Sequence, residues 1–117
     1  MEFTTRELAT KIAHKADDKK AEEILLFDMR EITTVADYFV ICSGSSNTQV
    51  QAIVRSIEDG LKEEVGSSPV RKEGLDENQW VVLDYADVLV HVFQSEKREY
   101  YNLEKLWGDA EAVEWSP

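Results

Sequence analysis

The chain has one cysteine, two prolines, five glycines and two histidines in 117 residues, and its 13 Lys and Arg are outnumbered by 24 Asp and Glu. A single cysteine, Cys42, excludes an internal disulfide and gives no sign of an oxidising compartment. With only His14 and His91 beside it, a zinc cluster would have to recruit carboxylates, so neither metal nor cofactor is expected. No apolar run approaches the roughly 20 residues needed to span a bilayer. The start, Met1-Glu2-Phe3-Thr4-Thr5-Arg6, has no charged-then-apolar signal pattern, so a cytoplasmic protein without membrane contact is expected. The shortage of bases excludes a DNA or RNA binder that relies on a broad basic stripe, because a net acidic surface repels phosphates.

What is there is acid and core. The formal charge of -11 is unevenly placed: residues 1–57 carry 9 acids and 7 bases, whereas residues 58–117 carry 15 acids and 6 bases. A basic protein partner would be drawn to the second half, chiefly through faster and better oriented encounter. A hydrophobic content of 43% is enough for a real core, so this is not a disordered acidic tail. The length predicts one domain over 1–117, with 109–117 a peripheral acidic tail.

Thr4 followed by Glu7 is a capping box, with Phe3 placed to staple onto Leu8. Leu8, Ile12 and Ala16, with Ala9 and Ala13 alongside, predict a first helix with a narrow apolar stripe. Ile24–Phe27 and Tyr38–Cys42 are continuous apolar runs of strand length, the pattern of strands covered on both faces in the middle of a sheet. Val50, Ile53, Val54, Ile57 and Leu61 define an amphipathic helix whose start, Ser46 with Gln49, again has capping-box spacing; Gly66-Ser67-Ser68-Pro69 stops it. Val70–Glu73 reads as a short exposed strand. Trp80–Leu83 and Val88–Phe93 read as a hairpin, and Ser95 to Trp107 as a last helix before Gly108. The element order predicts an α+β (mixed α/β) domain with a central mixed sheet flanked by helices.

Two constellations point toward chemistry and have plain structural alternatives. The strand, Gly44-Ser45-Ser46, helix junction resembles a place where free amides hold a phosphate, as in a nucleotide-binding or nucleotidyltransferase enzyme. Such enzymes also need two metal-binding carboxylates one residue apart on a neighbouring strand, and no such pair follows; a capped helix start explains the same residues. Cys42 with His91 is conceivable as a nucleophile and base, but a cysteine ending an apolar strand is ordinarily an inert small hydrophobe.

The hairpin says more. With Tyr85-Ala86 as a two-residue loop, Asp84 pairs with Asp87 and Trp80 lies opposite His91. Trp80, Val82, Leu89, His91 and Phe93 then share one face, while Val81, Leu83, Val88, Val90 and Val92 share a purely aliphatic one. The first face is either a Trp-His pair under a helix or an exposed recognition surface. On the last helix Tyr100, Leu103, Leu106 and Trp107 face the core. Tyr101 falls instead among Lys97, Arg98, Glu104 and Lys105, an aromatic on a charged face of the kind that anchors protein interfaces.

The stretches Ala36–Ser46, Val50–Ile53 and Trp80–Phe93, with Arg98–Trp107 and its Tyr-x-Leu-Glu-x-Leu-Trp pattern, resemble the ribosomal silencing factor family, also called Iojap, from about Leu8 to Ala110. The resemblance implies a nucleotidyltransferase-like fold without catalytic residues. It also implies a translational repressor, not an enzyme, that binds large-subunit ribosomal protein fourteen and blocks joining of the small subunit. In that reading it makes little direct RNA contact, is monomeric when bound, and leaves a homodimer of the free protein open. Trp80, Asp84 and Tyr101 match the family's contact positions, and Tyr85, His91, Arg98 and Glu104 complete the expected partner surface. One departure stands out: the family usually has Gly where this chain has Ala86, and a Cβ would strain a turn that needs positive φ there.

Overall fold

A computed structural model describes residues 4–96 and 111–115. Helix α1 (Thr5–Asp18) opens on the expected capping box, with Glu7 N–H donating to Thr4 Oγ1 at 3.0 Å and Thr4 N–H to Glu7 Oε1 at 3.2 Å. Phe3 lies outside the described residues. Ala9, Ile12, Ala13 and Ala16 are the buried stripe. Strands β1 (Glu22–Asp28) and β2 (Tyr38–Gly44) follow, then helix α2 (Asn47–Val65). Ser46 Oγ caps α2 by accepting from Gln49 N–H at 3.1 Å, and Gly66 in the left-handed region ends it. Strands β3 (Arg71–Glu73), β4 (Trp80–Asp84), β5 (Val88–Gln94) and β6 (Glu111–Ala112) complete the elements. The expected last helix lies, apart from Ser95 and Glu96, outside the described residues.

The sheet order is β3-β4-β5-β2-β1-β6, with β2 and β5 parallel and every other neighbour antiparallel. This is the α+β class with a mixed sheet. β2 lies inside the sheet and is buried along its whole length, as a continuous apolar run should be. β1 is less central than its sequence suggested: Glu22 and Glu23 are exposed, and among the described residues only the two-residue β6 stands beyond β1.

Both described helices pack on one face of the sheet. There Val40, Cys42, Val81, Leu83, Val88, Val90 and Val92 meet the stripes of α1 and α2, Val50, Ile53, Val54, Ile57 and Leu61 among them. Each such aliphatic side chain contributes about 1.5–3 kcal/mol on burial, so this layer dominates stability. The opposite face carries a second apolar cluster of Phe27, Met29, Ala36, Phe39, Ile41 and Phe93, with Leu25, Trp80 and Leu89 partly buried against it.

Residues 111–115, expected as a peripheral tail, are built into the fold. Ala112 pairs with Phe27 on β1 and Val113 N–H donates to Leu26 O at 2.7 Å. Trp115 then packs against the helix-side core, its Nε1–H donating to Ile24 O at 3.2 Å and its carbonyl accepting from His14 Nε2 at 2.9 Å.

Candidate functional site

The hairpin register differs from the two-residue-loop reading. Trp80 is opposite Phe93, Val82 opposite His91 and Asp84 opposite Leu89, so the loop between the strands is three residues, Tyr85 to Asp87. Ala86 is the reason. It sits at φ 71, and Asp87 N–H donates to Tyr85 O at 2.9 Å across it, a γ-turn centred on a residue with a side chain. Asp84 Oδ1 accepts from Ala86 N–H at 2.7 Å and Tyr85 N–H donates to Val88 O at 2.9 Å, which closes the longer loop. The register moved by two residues, and a shift of two leaves every side chain on its original face. Trp80, Val82, Leu89, His91 and Phe93 therefore still share the face away from the helices, and the aliphatic set is still core.

Trp80 and His91 are diagonal neighbours that bond to each other. Indole Nε1–H donates to His91 Nδ1 at 3.1 Å, which requires an unprotonated Nδ1. Burial, with His91 only 6% exposed, pushes its pKa down to about 4, so the imidazole is neutral near pH 7. Trp80 also stacks on Phe93 at 5.2 Å between ring centroids, and His91 lies 5.2 Å from the Phe39 ring. The half-buried indole is thus locked from beneath and can be offered to a partner without losing rotamer freedom.

Around it the surface is acidic and dented. Gly74, Asp76, Glu77, Gln79 and Trp80 line one cleft of about 320 Å³. Val35, Arg71, Glu73, Val82, Asp84 and Leu89 line another of about 220 Å³. Gly74 is at φ 82, where a Cβ would run into the Trp80 carbonyl, and its own carbonyl accepts from Asn78 N–H at 3.0 Å. The β3–β4 loop can fold against Trp80 only because this residue is glycine. In the sequence, the signal for this close approach is the glycine itself.

The other expected site residues separate. Asp84 is half-buried and engaged in the turn, with Oδ2 only loosely placed at 3.9 Å from Arg71. Tyr85 is 6% exposed and lies in the helix-side core, on the other face from Trp80; burial raises its phenol pKa. Arg98, Tyr101 and Glu104 fall outside the described residues.

The two chemical alternatives meet obstacles in the geometry. At the Gly44-Ser45-Ser46 junction the Gln49 side-chain carbonyl already accepts from Ser45 N–H at 2.6 Å, and its amide donates to Lys19 O and Lys20 O at 3.1 Å each. The amide a phosphate would seek is filled from within. Gln49 thereby ties the end of α1 to the start of α2 rather than closing the expected capping box. Ile41, not Cys42, is in register with His91 on β5, so Cys42 and His91 point to opposite faces of the sheet. Among the described residues no group of three His, Cys, Asp or Glu could hold a metal, and no helix is long and apolar enough to cross a membrane.

Comparison with known proteins agrees with this geometry. Residues 2–117 match the family model described as ribosomal silencing factor during starvation. A Bacillus subtilis protein, ribosomal silencing factor RsfS, is 57% identical over 101 residues, which is 86% of this chain and 85% of that one. The chloroplastic protein Iojap of Zea mays is 34% identical over 107 residues, 91% of this chain and 46% of its own. Among solved structures, a Chromobacterium violaceum protein superposes with a TM-score of 0.87 at 33% identity, covering 91% of this chain and 88% of that one. A Bacillus halodurans protein superposes with a TM-score of 0.80 at 42% identity over 93% of this chain and 98% of its own. A matched model along almost every residue and the same α+β fold in solved relatives establish that the chain belongs to the ribosomal silencing factor family, a family of non-enzymatic factors.

Proposed function

We propose that this protein represses translation by binding the large ribosomal subunit through large-subunit ribosomal protein fourteen, so that its bulk excludes the small subunit. The observation that carries the reading is the sheet face opposite α1 and α2, where Trp80 is held by His91 and Phe93 among acidic loops. An aromatic anchor that is already rigid loses little entropy on docking, and surrounding carboxylates favour a basic protein over RNA. Trp80 supplies the anchor, His91 holds it, and Asp84 shapes the adjoining turn with Tyr85 beneath. Arg98, Tyr101 and Glu104 add contacts from the segment that follows β5. The protein acts in the cytoplasm, as a monomer when bound, without cofactor or metal.

The test is co-sedimentation of the purified chain with large subunits, scored also for whole-ribosome formation after small subunits are added. The unmodified chain should travel with large subunits and reduce whole ribosomes. Trp80→Ala should weaken that association by at least about 30-fold, the equivalent of a hot spot of roughly 2 kcal/mol. Normal co-sedimentation of a folded Trp80→Ala variant would remove Trp80 from the site. Large subunits that bind the protein yet join small subunits normally would refute steric exclusion.

A further inference from the structure

Resting on that reading, we propose that the docking face extends across the sheet to the β1–β2 loop, where Val35, Val82 and Leu89 form a pocket. Its occupant is an apolar side chain of the ribosomal protein partner that stands beside a Lys or Arg. Val35 is 65% exposed, and Ile32 in the same loop is 42% exposed, on a chain whose residues are 32% charged. The loop holds Val35 there by specific bonds. Ile32 N–H and Thr33 N–H both donate to Met29 O at 3.0 Å, and Thr33 Oγ1 accepts from Val35 N–H at 3.1 Å. Asp37 N–H then donates to Asp87 O at 2.8 Å, tying the loop to the hairpin turn. A β-branched side chain on a pinned backbone has little freedom left to lose, so its burial by a partner is nearly all gain.

The pocket, about 220 Å³, is preformed and apolar at its floor. It continues the Trp80 surface, since Val82 lies two residues along β4, roughly 7 Å from Trp80. Its rim is charged. Glu73 is exposed, and Asp84 stands 3.9 Å from Arg71, so two carboxylates face one guanidinium. That rim favours a cation next to the inserted group. It disfavours the other candidates: phosphate meets like charge, and a second copy of the chain brings another -11.

The experiment is quantitative co-sedimentation of full-length variants with large subunits, each variant first checked by its melting temperature. Val35 is exposed, so Val35→Ser should melt like the unmodified chain while binding about tenfold more weakly, the loss expected for removing a buried Val side chain. Val35→Asp should bind more weakly still, and Val35→Ile should stay within about twofold of the unmodified chain. If Val35→Ser and Val35→Asp bind normally while Trp80→Ala does not, the pocket proposal fails and the proposed function stands. If the unmodified chain does not bind large subunits at all, both fail. If Val35→Ser lowers self-association in sedimentation velocity without weakening ribosome binding, the pocket serves a second copy and the proposal is overturned. Equal competition by protein-free large-subunit RNA would overturn it as well.

Discussion

Ala86 holds a conformation that costs an L-residue about 1–2 kcal/mol, and its replacement by glycine gives a direct measure of the strain in the hairpin turn. At φ 71 its Cβ is crowded, yet neither flanking hydrogen bond, Asp87 N–H to Tyr85 O at 2.9 Å or Ala86 N–H to Asp84 Oδ1 at 2.7 Å, uses the Ala86 side chain. Ala86→Gly therefore removes the crowding and keeps every bond. Glycine gives back about 0.5–1 kcal/mol through its freer unfolded chain, which leaves a net gain of roughly 0.5–1 kcal/mol. For a domain near 100 residues that is a rise in melting temperature of about 2–5 °C. Urea titration should show a higher midpoint at an unchanged slope, since neither compactness nor buried area changes. Ala86→Val should move the midpoint the other way, because a β-branched side chain tolerates positive φ least. A glycine variant with the same or a lower midpoint would refute the γ-turn and, with it, the three-residue loop and the Trp80 to Phe93 register.

Three further predictions follow from other sites. His91 has its pKa depressed from 6.5 to about 4 by burial, so it contributes stability that is complete above pH 6.5 and is lost as pH falls toward 4. That loss is about 3 kcal/mol, and the stability-against-pH curve of His91→Phe should lack it; parallel curves for the two proteins would contradict the buried neutral imidazole. Gly74→Ala forces a Cβ against the Trp80 carbonyl at positive φ, and should cost about 2 kcal/mol or more in urea unfolding while shifting tryptophan fluorescence. An unperturbed variant would mean the loop has another way to close. Trp115→Ala removes a half-buried ring and its Nε1–H bond to Ile24 O, with an expected loss of about 2 kcal/mol by thermal melting; no loss would mean the C-terminal strand contributes nothing in solution.

Much of this arrangement was legible in the chain because period and capping are local properties. The Thr4 and Glu7 box, the Val50 to Leu61 stripe and the unbroken Tyr38–Cys42 run each name an element without reference to any other. Face membership on the hairpin was equally secure, since alternation sorts Trp80 and His91 from Val81 and Val90 whatever the pairing, provided the register moves by even steps. The pairing itself was not legible. It depends on one φ angle at Ala86, a position the sequence flagged as strained without saying whether the alanine would still adopt positive φ.

What required the folded chain is everything that joins distant segments. Tyr85 looked like part of the recognition turn, but its ring goes to the helix-side core, because the turn sends residue 85 to the face opposite Trp80. Gln49 looked like half of a capping box, but the end of α1 lies near enough to take its amide. An acidic stretch that reads as a tail becomes a strand because β1 has an open edge and Trp115 finds a slot beside His14. Val35, an isolated apolar residue in a polar connector, has meaning only beside Val82 and Leu89 from strands more than 40 residues away. The sequence by itself determined the two described helices, the apolar runs of β1, β2, β4 and β5, the two faces of the hairpin and the sign of the charge, all short-range consequences of residue type and spacing. Which residues stand together on the face opposite α1 and α2 was decided by tertiary packing, where each contact depends on the position of a second element.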